Sequence, residues 1–250
     1  MALFRQLYDA PTTAYTYLLA DTDAGAAVLI DPAAERMTVT LLALLAELDL
    51  RLEYVLCTHA HPGDPAVADS IRSRTAARVA AGERAPVAAD LRLHHGDAIT
   101  FGNEVIHVLG TPGHTPACLS YLWRDRVFTG GALLIRACGR TDLPDADAGA
   151  LYDSITQRLM VLPGDTLVYP GHDGQGRTVS TIAEEREHNP CVAGRSRDEF
   201  ITQRIDEWRL QSPVMALAQG ARPDPTFLRS SAICRKLPSS GTIKENHREP

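Results

Sequence analysis

The segment EYVLCTHAH, residues 53–61, carries the pattern that decides the fold. It opens with the apolar run of a short buried strand and ends in two histidines one residue apart, His59 and His61. Loops that follow strand ends are places where ligands and catalytic groups are held. Two imidazoles at this spacing can converge on one metal ion if the loop turns. The segment therefore predicts a strand whose C-terminal end presents metal ligands.

Two further segments follow the same rule. Residues 111–116, TPGHTP, place His114 in a turn, and residues 169–173, YPGHD, place His172 in another. Proline and glycine fix the backbone path in both turns, and each turn comes after a strand-like segment. We expect the four histidines to meet in one cleft.

Composition favours a globular protein with one large domain. The chain has 250 residues and a mass of 27.1 kDa, with 44% hydrophobic and 22% charged residues. These are ordinary values for a folded domain. We predict a single domain over residues 1–235. Residues 236–250 are polar and without apolar periodicity, which predicts a disordered tail.

Several partners and locations are disfavoured by the same composition. A net charge of -6 gives no basic surface for nucleic acid. No apolar run approaches the roughly 20 residues needed to span a bilayer, and the N-terminus lacks a signal-peptide core. The cysteines number 5, an odd count without CxxC spacing, which favours reduced thiols. The predicted location is cytoplasmic, with no nucleic-acid or membrane partner.

The order of predicted elements indicates the fold class. Helical apolar spacing is predicted over residues 37–48, 65–74, 151–162, 178–187 and 196–210. Strands are predicted over residues 15–19, 26–30, 53–57, 78–81, 97–101, 104–109, 118–123, 126–129 and 166–169. A strand-helix half is thus followed by a half that begins with strands and ends with helices. This arrangement predicts an α/β fold built as a four-layer αββα sandwich.

At this point the chain resembles the metallo-β-lactamase superfamily, specifically its persulfide dioxygenases and, more distantly, the glyoxalase II hydrolases. The resemblance covers about residues 4–190. It rests on the three histidine segments and on residues 132–142, ALLIRACGRTD, a run typical of the persulfide dioxygenases. The resemblance implies an αββα sandwich whose active site lies at the edge of the two sheets.

The resemblance also implies a set of metal ligands. Persulfide dioxygenases hold one iron(II) with two histidines and an aspartate, which correspond here to His59, His114 and the position of Gly131. The aspartate is therefore missing. His61 completes the three histidines of the superfamily's first metal site. At the second site the aspartate and histidine positions hold Gly63 and Asp64, and His172 is retained.

Three neutral imidazoles and a water form a sound site for one divalent metal, Fe(II) or Zn(II). Loss of the carboxylate removes a negative charge and leaves a coordination position open. Asp64 has two interpretations. It could turn in as a substitute ligand, or it could cap a helix that begins at Pro65.

The resemblance places the substrate beside this metal. In persulfide dioxygenases the region of Arg136 shapes the pocket for glutathione persulfide, so Arg136, Arg140 and Asp142 are predicted to bind a small thiol or persulfide. In the alternative interpretation, Arg140 and Asp142 form a pair that fixes the loop. Residues 174–176, GQG, stand where the family more often has an aromatic residue and a histidine, which argues against glutathione itself.

Three functional hypotheses follow. The first is a persulfide-dioxygenase-like enzyme acting on a small thiol-derived molecule. The second is a mononuclear zinc hydrolase of thioester-type bonds. The third is a non-catalytic homologue that has lost tight metal binding. Dimers are common among the relatives, so a homodimer is a further expectation.

Overall fold

Two six-stranded sheets form the centre of the molecule. The computed structural model describes residues 1–61 and 67–211. The first sheet has the order β1 Ala2–Asp9, β2 Ala14–Asp21, β3 Ala26–Ile30, β4 Arg51–Leu56, β5 Arg78–Gly82 and β6 Leu91–Leu93. Strands β1 to β3 are antiparallel neighbours, whereas β3 to β6 run parallel.

The second sheet follows in the chain. Its strands are β7 Ala98–Phe101, β8 Glu104–Gly110, β9 Leu119–Trp123, β10 Arg126–Gly130, β13 Leu167–Pro170 and β14 Ser180–Thr181. Its order is β14-β13-β10-β9-β8-β7, and β10 and β13 are its parallel pair. A separate two-stranded hairpin consists of β11 Leu133–Leu134 and β12 Ala137–Cys138.

The helices are α1 Thr38–Glu47, α2 Val67–Thr75, α3 Ala148–Ser154, α4 Ile182–His188 and α5 Arg197–Gln211. A 3-10 turn, Glu35–Met37, precedes α1, and a π-helical turn, Ile155–Leu159, continues α3. Thr181 caps α4 because its side chain accepts a hydrogen bond from the backbone N–H of Glu184.

Three apolar layers hold the sandwich together. Alternate residues of a strand point to opposite faces, so Val28 packs between the two sheets while Leu29 packs on the outer side of the first sheet. That outer side is covered by α1 and α2 through residues such as Leu41 and Ile71. Leu151 and Phe200, from α3 and α5, cover the outer side of the second sheet. The predicted four-layer αββα sandwich is confirmed.

Some predicted boundaries need correction. Residues 178–187 were predicted as one helix, but Ser180–Thr181 pairs with β13 and the helix begins at Ile182. The predicted helix over residues 151–162 is an α-helix followed by a π-helical turn. Five observed strands are absent from the prediction, namely β1, β6, β11, β12 and β14.

Other predictions about organisation stay as predictions. Residues 1–206 form one compact unit. Of residues 207–250, only the end of α5 is described. The tail over residues 236–250, the helix start at Pro65 and its cap Asp64 lie outside the described residues. Among the described helices, none is both long enough and apolar enough to cross a membrane. The cytoplasmic location and the homodimer stay predictions.

A core substitution tests the outer layer on the second sheet. Phe200 is fully buried against that layer, so Phe200→Ala should lower the free energy of unfolding by about 3–5 kcal/mol. Urea unfolding measures the change. Val161→Ala is the matched control, because Val161 is 68% exposed and should change stability by less than about 0.5 kcal/mol. Equal effects would show that α5 does not form this layer.

Candidate metal centre

Three of the four histidines converge. His59, His61 and His114 each offer one ring nitrogen, and the three nitrogens lie within 4.8 Å of one another. Nε2 of His61 and Nε2 of His114 are 3.2 Å apart. Two nitrogens bound to one ion at about 2.1 Å, with angles of about 90–109°, lie about 3.0–3.4 Å apart. The spacing of this pair therefore suits a shared divalent ion.

His114 is oriented by a backbone carbonyl. Its Nδ1 lies 2.9 Å from the carbonyl oxygen of Arg140. A carbonyl can only accept a hydrogen bond, so Nδ1 carries the proton and, in the neutral ring, Nε2 keeps its lone pair. Nε2 is the atom that faces His61. A ligand histidine is commonly fixed in this way through its second nitrogen.

His59 is oriented by a buried carboxylate through one intermediary. Thr58 donates to Asp31 from its backbone N–H at 2.7 Å and from its hydroxyl at 2.5 Å. Nδ1 of His59 lies 2.8 Å from the same hydroxyl. Because the single hydroxyl proton is directed to the carboxylate, the hydroxyl accepts from Nδ1 of His59. In the neutral ring, Nε2 of His59 then keeps its lone pair and can bind a metal.

Burial favours the neutral, metal-binding form of the His59 and His114 imidazoles. Burial, together with the neighbouring histidines, lowers the pKa of His59 well below its usual value. Burial also lowers the pKa of His114, despite the hydrogen bond to Arg140. Burial raises the pKa of Asp31 to about 6, so that carboxyl is mostly ionised at neutral pH. Neutral imidazoles can donate their lone pairs without first losing a proton.

Glycines make room for the His114 ring. A Cβ at Gly131 would lie 2.4 Å from Cδ2 of His114 and 3.2 Å from Nε2 of His59. A Cβ at Gly139 would lie 2.7 Å from Cβ of His114. The His114 ring therefore occupies the space beside the position where the family has its aspartate. A side chain at residue 131 would have to displace that ring.

His172 lies beside the three histidines as a separate group. Its residue forms an isolated β-bridge with Ala14, and the preceding carbonyl of Gly171 accepts from the N–H of Tyr15 at 2.8 Å. Burial lowers the pKa of His172. Together with His59 it lines a cavity of about 450 Å³ at this edge of the sandwich. His59 belongs both to the group of three histidines and to this cavity, whereas His172 is found only on the cavity lining.

Arg136 turns away from the histidines. Its guanidinium pairs with the buried Glu185 at 2.6 Å and with Glu184 at 2.5 Å. Its backbone N–H also donates to Glu185 at 2.9 Å. Glu185 accepts further hydrogen bonds from Ser180 and Asn189. The arginine therefore ties the β11–β12 hairpin to α4.

Arg140 and Asp142 form an ion pair. Two nitrogens of the guanidinium donate to the carboxylate, at 2.9 and 2.7 Å. The pairing lowers the pKa of Asp142 and raises that of Arg140. This is the loop-fixing alternative stated above, and the same loop supplies the carbonyl that orients His114. Gly63 and Asp64 lie outside the described residues, so the proposed substitute ligand is not tested.

Sequence reasoning missed the residues that support the site. No sequence pattern assigns a role to Asp31, and Thr58 is predicted only as part of the EYVLCTHAH segment. Asp31 and Thr58 are 27 positions apart, and a single sequence does not show that two such residues are in contact. The Asp-Pro that directly follows an apolar strand was the one signal that could have drawn attention to Asp31. No sequence pattern points to Glu185, because its partner Arg136 lies in the β11–β12 hairpin, far away in the sequence.

Comparison with known proteins agrees with this geometry. A family model described as the metallo-beta-lactamase superfamily matches residues 65–172. The human mitochondrial persulfide dioxygenase ETHE1 is 41% identical over 202 residues, which cover 80% of this chain and 79% of that protein. The crystal structure of ETHE1 from Myxococcus xanthus matches with a TM-score of 0.80 and 46% identity, covering 88% of this chain and 96% of that chain. A hydroxyacylglutathione hydrolase of Roseobacter denitrificans is 34% identical over 191 residues, covering 73% of this chain and 71% of that protein.

The chain therefore belongs to the metallo-β-lactamase superfamily, and within it to the persulfide dioxygenase subfamily. The weaker likeness to hydroxyacylglutathione hydrolases is that of a more distant branch. The fold and the three histidines together indicate a divalent metal.

The clamp between Arg136 and α4 gives a stability prediction. Glu185→Ala leaves buried donors without an acceptor, so the free energy of unfolding should fall by about 3–5 kcal/mol. Glu184→Ala is the matched control. It removes the half-exposed partner of the same arginine and should cost no more than about 1 kcal/mol. Urea unfolding of both variants checks this, and equal losses would refute a structural role for the buried pair.

The lowered histidine pKa values predict a pH effect on the metal-free protein. In the unfolded chain a histidine takes up its proton near pH 6.5, whereas the folded protein resists protonation of His59 and His114. Stability should therefore fall as the pH drops below 6.5. Asp31 has the opposite effect on stability. Its pKa in the folded protein is about 6, so as the pH falls the folded state binds a proton at this carboxylate before the unfolded chain does, and this stabilises the folded state.

His59→Gln isolates the contribution of one ligand to this effect. Between pH 7.5 and pH 5.5 the variant should lose about 1 kcal/mol less stability than the wild type, measured by urea unfolding with chelator present. His107→Gln removes an exposed histidine of β8 and should lose as much as the wild type. An unchanged pH dependence in His59→Gln would contradict the assignment.

Proposed function

We propose that the protein is a metal-dependent sulfur dioxygenase acting on a small persulfide, with one Fe(II) held by His59, His61 and His114. The observation that supports this most is the convergence of three imidazoles in a chain of the persulfide dioxygenase subfamily. Three nitrogen donors without a carboxylate also suit Zn(II), so the choice of iron rests on the relatives. The metal-ligand roles of these histidines are part of the proposal.

The donor set fits a single divalent ion. The His61–His114 spacing of 3.2 Å and the orientation of Nε2 in His59 and His114 are supporting observations. When bound, iron(II) would supply a redox centre with open positions for sulfur and dioxygen. Overall, a persulfide, dioxygen and water would give a thiol and sulfite.

The protein's own groups have positioning roles in this scheme. The Asp31–Thr58 hydrogen bonds hold His59 in the tautomer that can bind a metal. The carbonyl of Arg140 does the same for His114, and the Arg140–Asp142 ion pair holds the loop that carries it. In our proposal Arg140 and Asp142 border the substrate, whereas Arg136 acts on it only through the hairpin.

A hydrolase is the second candidate, because a hydroxyacylglutathione hydrolase is 34% identical to the chain. A three-histidine zinc site can lower the pKa of a bound water enough for it to attack an acyl group. Oxygen consumption separates the two activities. Uptake with a persulfide supports the dioxygenase, whereas thioester cleavage without uptake supports the hydrolase.

Residue 131 offers a sharper test through a pair of variants. Gly131→Ala adds a Cβ that crowds His114, so it should weaken Fe(II) binding at least about tenfold. Gly131→Asp adds the same Cβ together with a carboxylate. If the site works as in the relatives, Gly131→Asp should bind Fe(II) more tightly than Gly131→Ala and recover oxygen uptake.

Anaerobic Fe(II) titration and an oxygen electrode measure these quantities. Wild-type protein should bind one iron per chain and consume oxygen with a persulfide. Failure of the wild type to bind Fe(II) or Zn(II), with normal folding, would refute the proposed activity and favour the non-catalytic hypothesis. Equal affinities of the two variants would show that the cleft no longer accepts a carboxylate ligand.

A further inference from the structure

The β11–β12 hairpin is too short to hold its own shape. It consists of two residue pairs, Leu133 with Cys138 and Leu134 with Ala137. An isolated two-stranded hairpin is marginally stable at best in water. Its turn also contains Arg136 at a φ of 57°, a left-handed conformation that is unfavourable for a residue with a side chain. Contacts from outside the hairpin must therefore fix its position.

Asn189, the residue that follows α4, connects the two strands of this hairpin. Its side chain is fully buried, and its Nδ2 lies 3.2 Å from the carbonyl oxygen of Leu134 and 3.0 Å from that of Ala137. Its Oδ1 accepts a hydrogen bond from the backbone N–H of Cys191 at 2.9 Å, which directs Nδ2 towards the hairpin. One side chain thus links a carbonyl of each strand to the end of α4.

Glu185, within α4, fixes the turn of the same hairpin. Its buried carboxylate accepts from the backbone N–H of Arg136 at 2.9 Å and from the guanidinium of Arg136 at 2.6 Å. It also accepts from Nδ2 of Asn189 at 2.7 Å and from the hydroxyl of Ser180, in β14, at 2.6 Å. The left-handed conformation of Arg136 is therefore held through both its backbone and its side chain.

The hairpin continues directly into the segment that orients His114. The N–H of Gly139 donates to the carbonyl of Ala132 at 3.2 Å, just outside the paired residues. A Cβ at Gly139 would lie 2.7 Å from Cβ of His114, so the backbone passes close to that residue. The next carbonyl, that of Arg140, accepts from Nδ1 of His114 at 2.9 Å. A shift of the hairpin would therefore move the acceptor that sets the tautomer of His114.

We infer that Asn189 and Glu185 are positioning residues for His114 and act on it through the β11–β12 hairpin. Loss of groups that orient a metal ligand from behind typically weakens metal binding by about 10- to 100-fold. The inference rests on the proposed function insofar as His114 binds a metal. The tautomer of His114 can be measured in the metal-free protein, independently of that role.

Glu185→Gln and Glu184→Gln form a matched pair of variants. In Glu185→Gln an NH2 group replaces one carboxylate oxygen. Because Arg136 donates to both oxygens, one of its donors then faces that NH2 group, whichever way the amide turns. Glu184→Gln makes the same change in the half-exposed partner of the same arginine.

Heteronuclear NMR of the imidazole nitrogens in the metal-free proteins at pH 7.5 gives the tautomer of His114. We expect only the Nδ1–H form in the wild type and in Glu184→Gln, because the carbonyl of Arg140 accepts that proton. In Glu185→Gln we expect a mixture in which the Nε2–H form is readily detected.

Zinc affinity, measured by competition with a chelator, is the second readout. Glu185→Gln and Asn189→Ala should bind Zn(II) at least about tenfold more weakly than the wild type, and Glu184→Gln should bind it equally well. Leu41→Ala is the control for general destabilisation. Leu41 is buried under α1 on the outer side of the first sheet, so its loss should destabilise the fold without changing the His114 tautomer or the zinc affinity.

The outcomes separate this inference from the proposed function. A wild-type tautomer and a wild-type zinc affinity in Glu185→Gln would overturn the inference and leave the proposed function in place. Equal losses of affinity in Leu41→Ala and Glu185→Gln would also overturn it, because stability alone would then explain the change. If the wild type binds no metal, the proposed function fails, and the tautomer in Glu185→Gln alone decides the positioning role. Glu185→Gln likewise decides it if Asn189→Ala does not fold.

Discussion

Thr58 is the residue on which the rest of the site depends. Its carbonyl accepts a hydrogen bond from Leu119, which joins the two sheets at the edge where the ligands lie. Its backbone N–H and hydroxyl bind Asp31, and the hydroxyl also meets Nδ1 of His59. A Cβ on Gly130 would lie 2.2 Å from that hydroxyl, so only glycine fits opposite it. One side chain thus couples the sheet junction to the orientation of a metal ligand.

The four ligand-type segments meet because of the topology. The loops with His59, His114, Gly131 and His172 each follow a strand end. The N–H of Gly171 donates to the carbonyl of Gly130, which joins two of these segments, and the N–H of Tyr15 in β2 donates to the carbonyl of Gly171. The missing carboxylate at residue 131 therefore changes a ligand position without removing the strand ends that carry the histidines. The fold therefore persists even where a ligand position has changed.

Much of the fold could be predicted from sequence, for identifiable reasons. Residues 26–30 and the leucines of α1 have strong apolar patterns that identify them as a strand and a helix. β1 was missed because it is a half-exposed edge strand, and β11 and β12 because two-residue strands have no period. α4 begins late because Ser180 and Thr181 pair with β13 instead of continuing a helix. The histidine cluster could be predicted from its motifs, whereas the partner of Arg136 depends on tertiary packing.

In the proposed site, three imidazoles hold one metal ion without a carboxylate from residue 131. X-ray absorption at the iron edge, on protein loaded with one equivalent of Fe(II), measures that coordination shell directly. We expect three imidazole ligands with Fe–N distances of about 2.1 Å, with water in the remaining positions. A shell with fewer than three imidazoles, or one identical to that of iron in buffer, would contradict it.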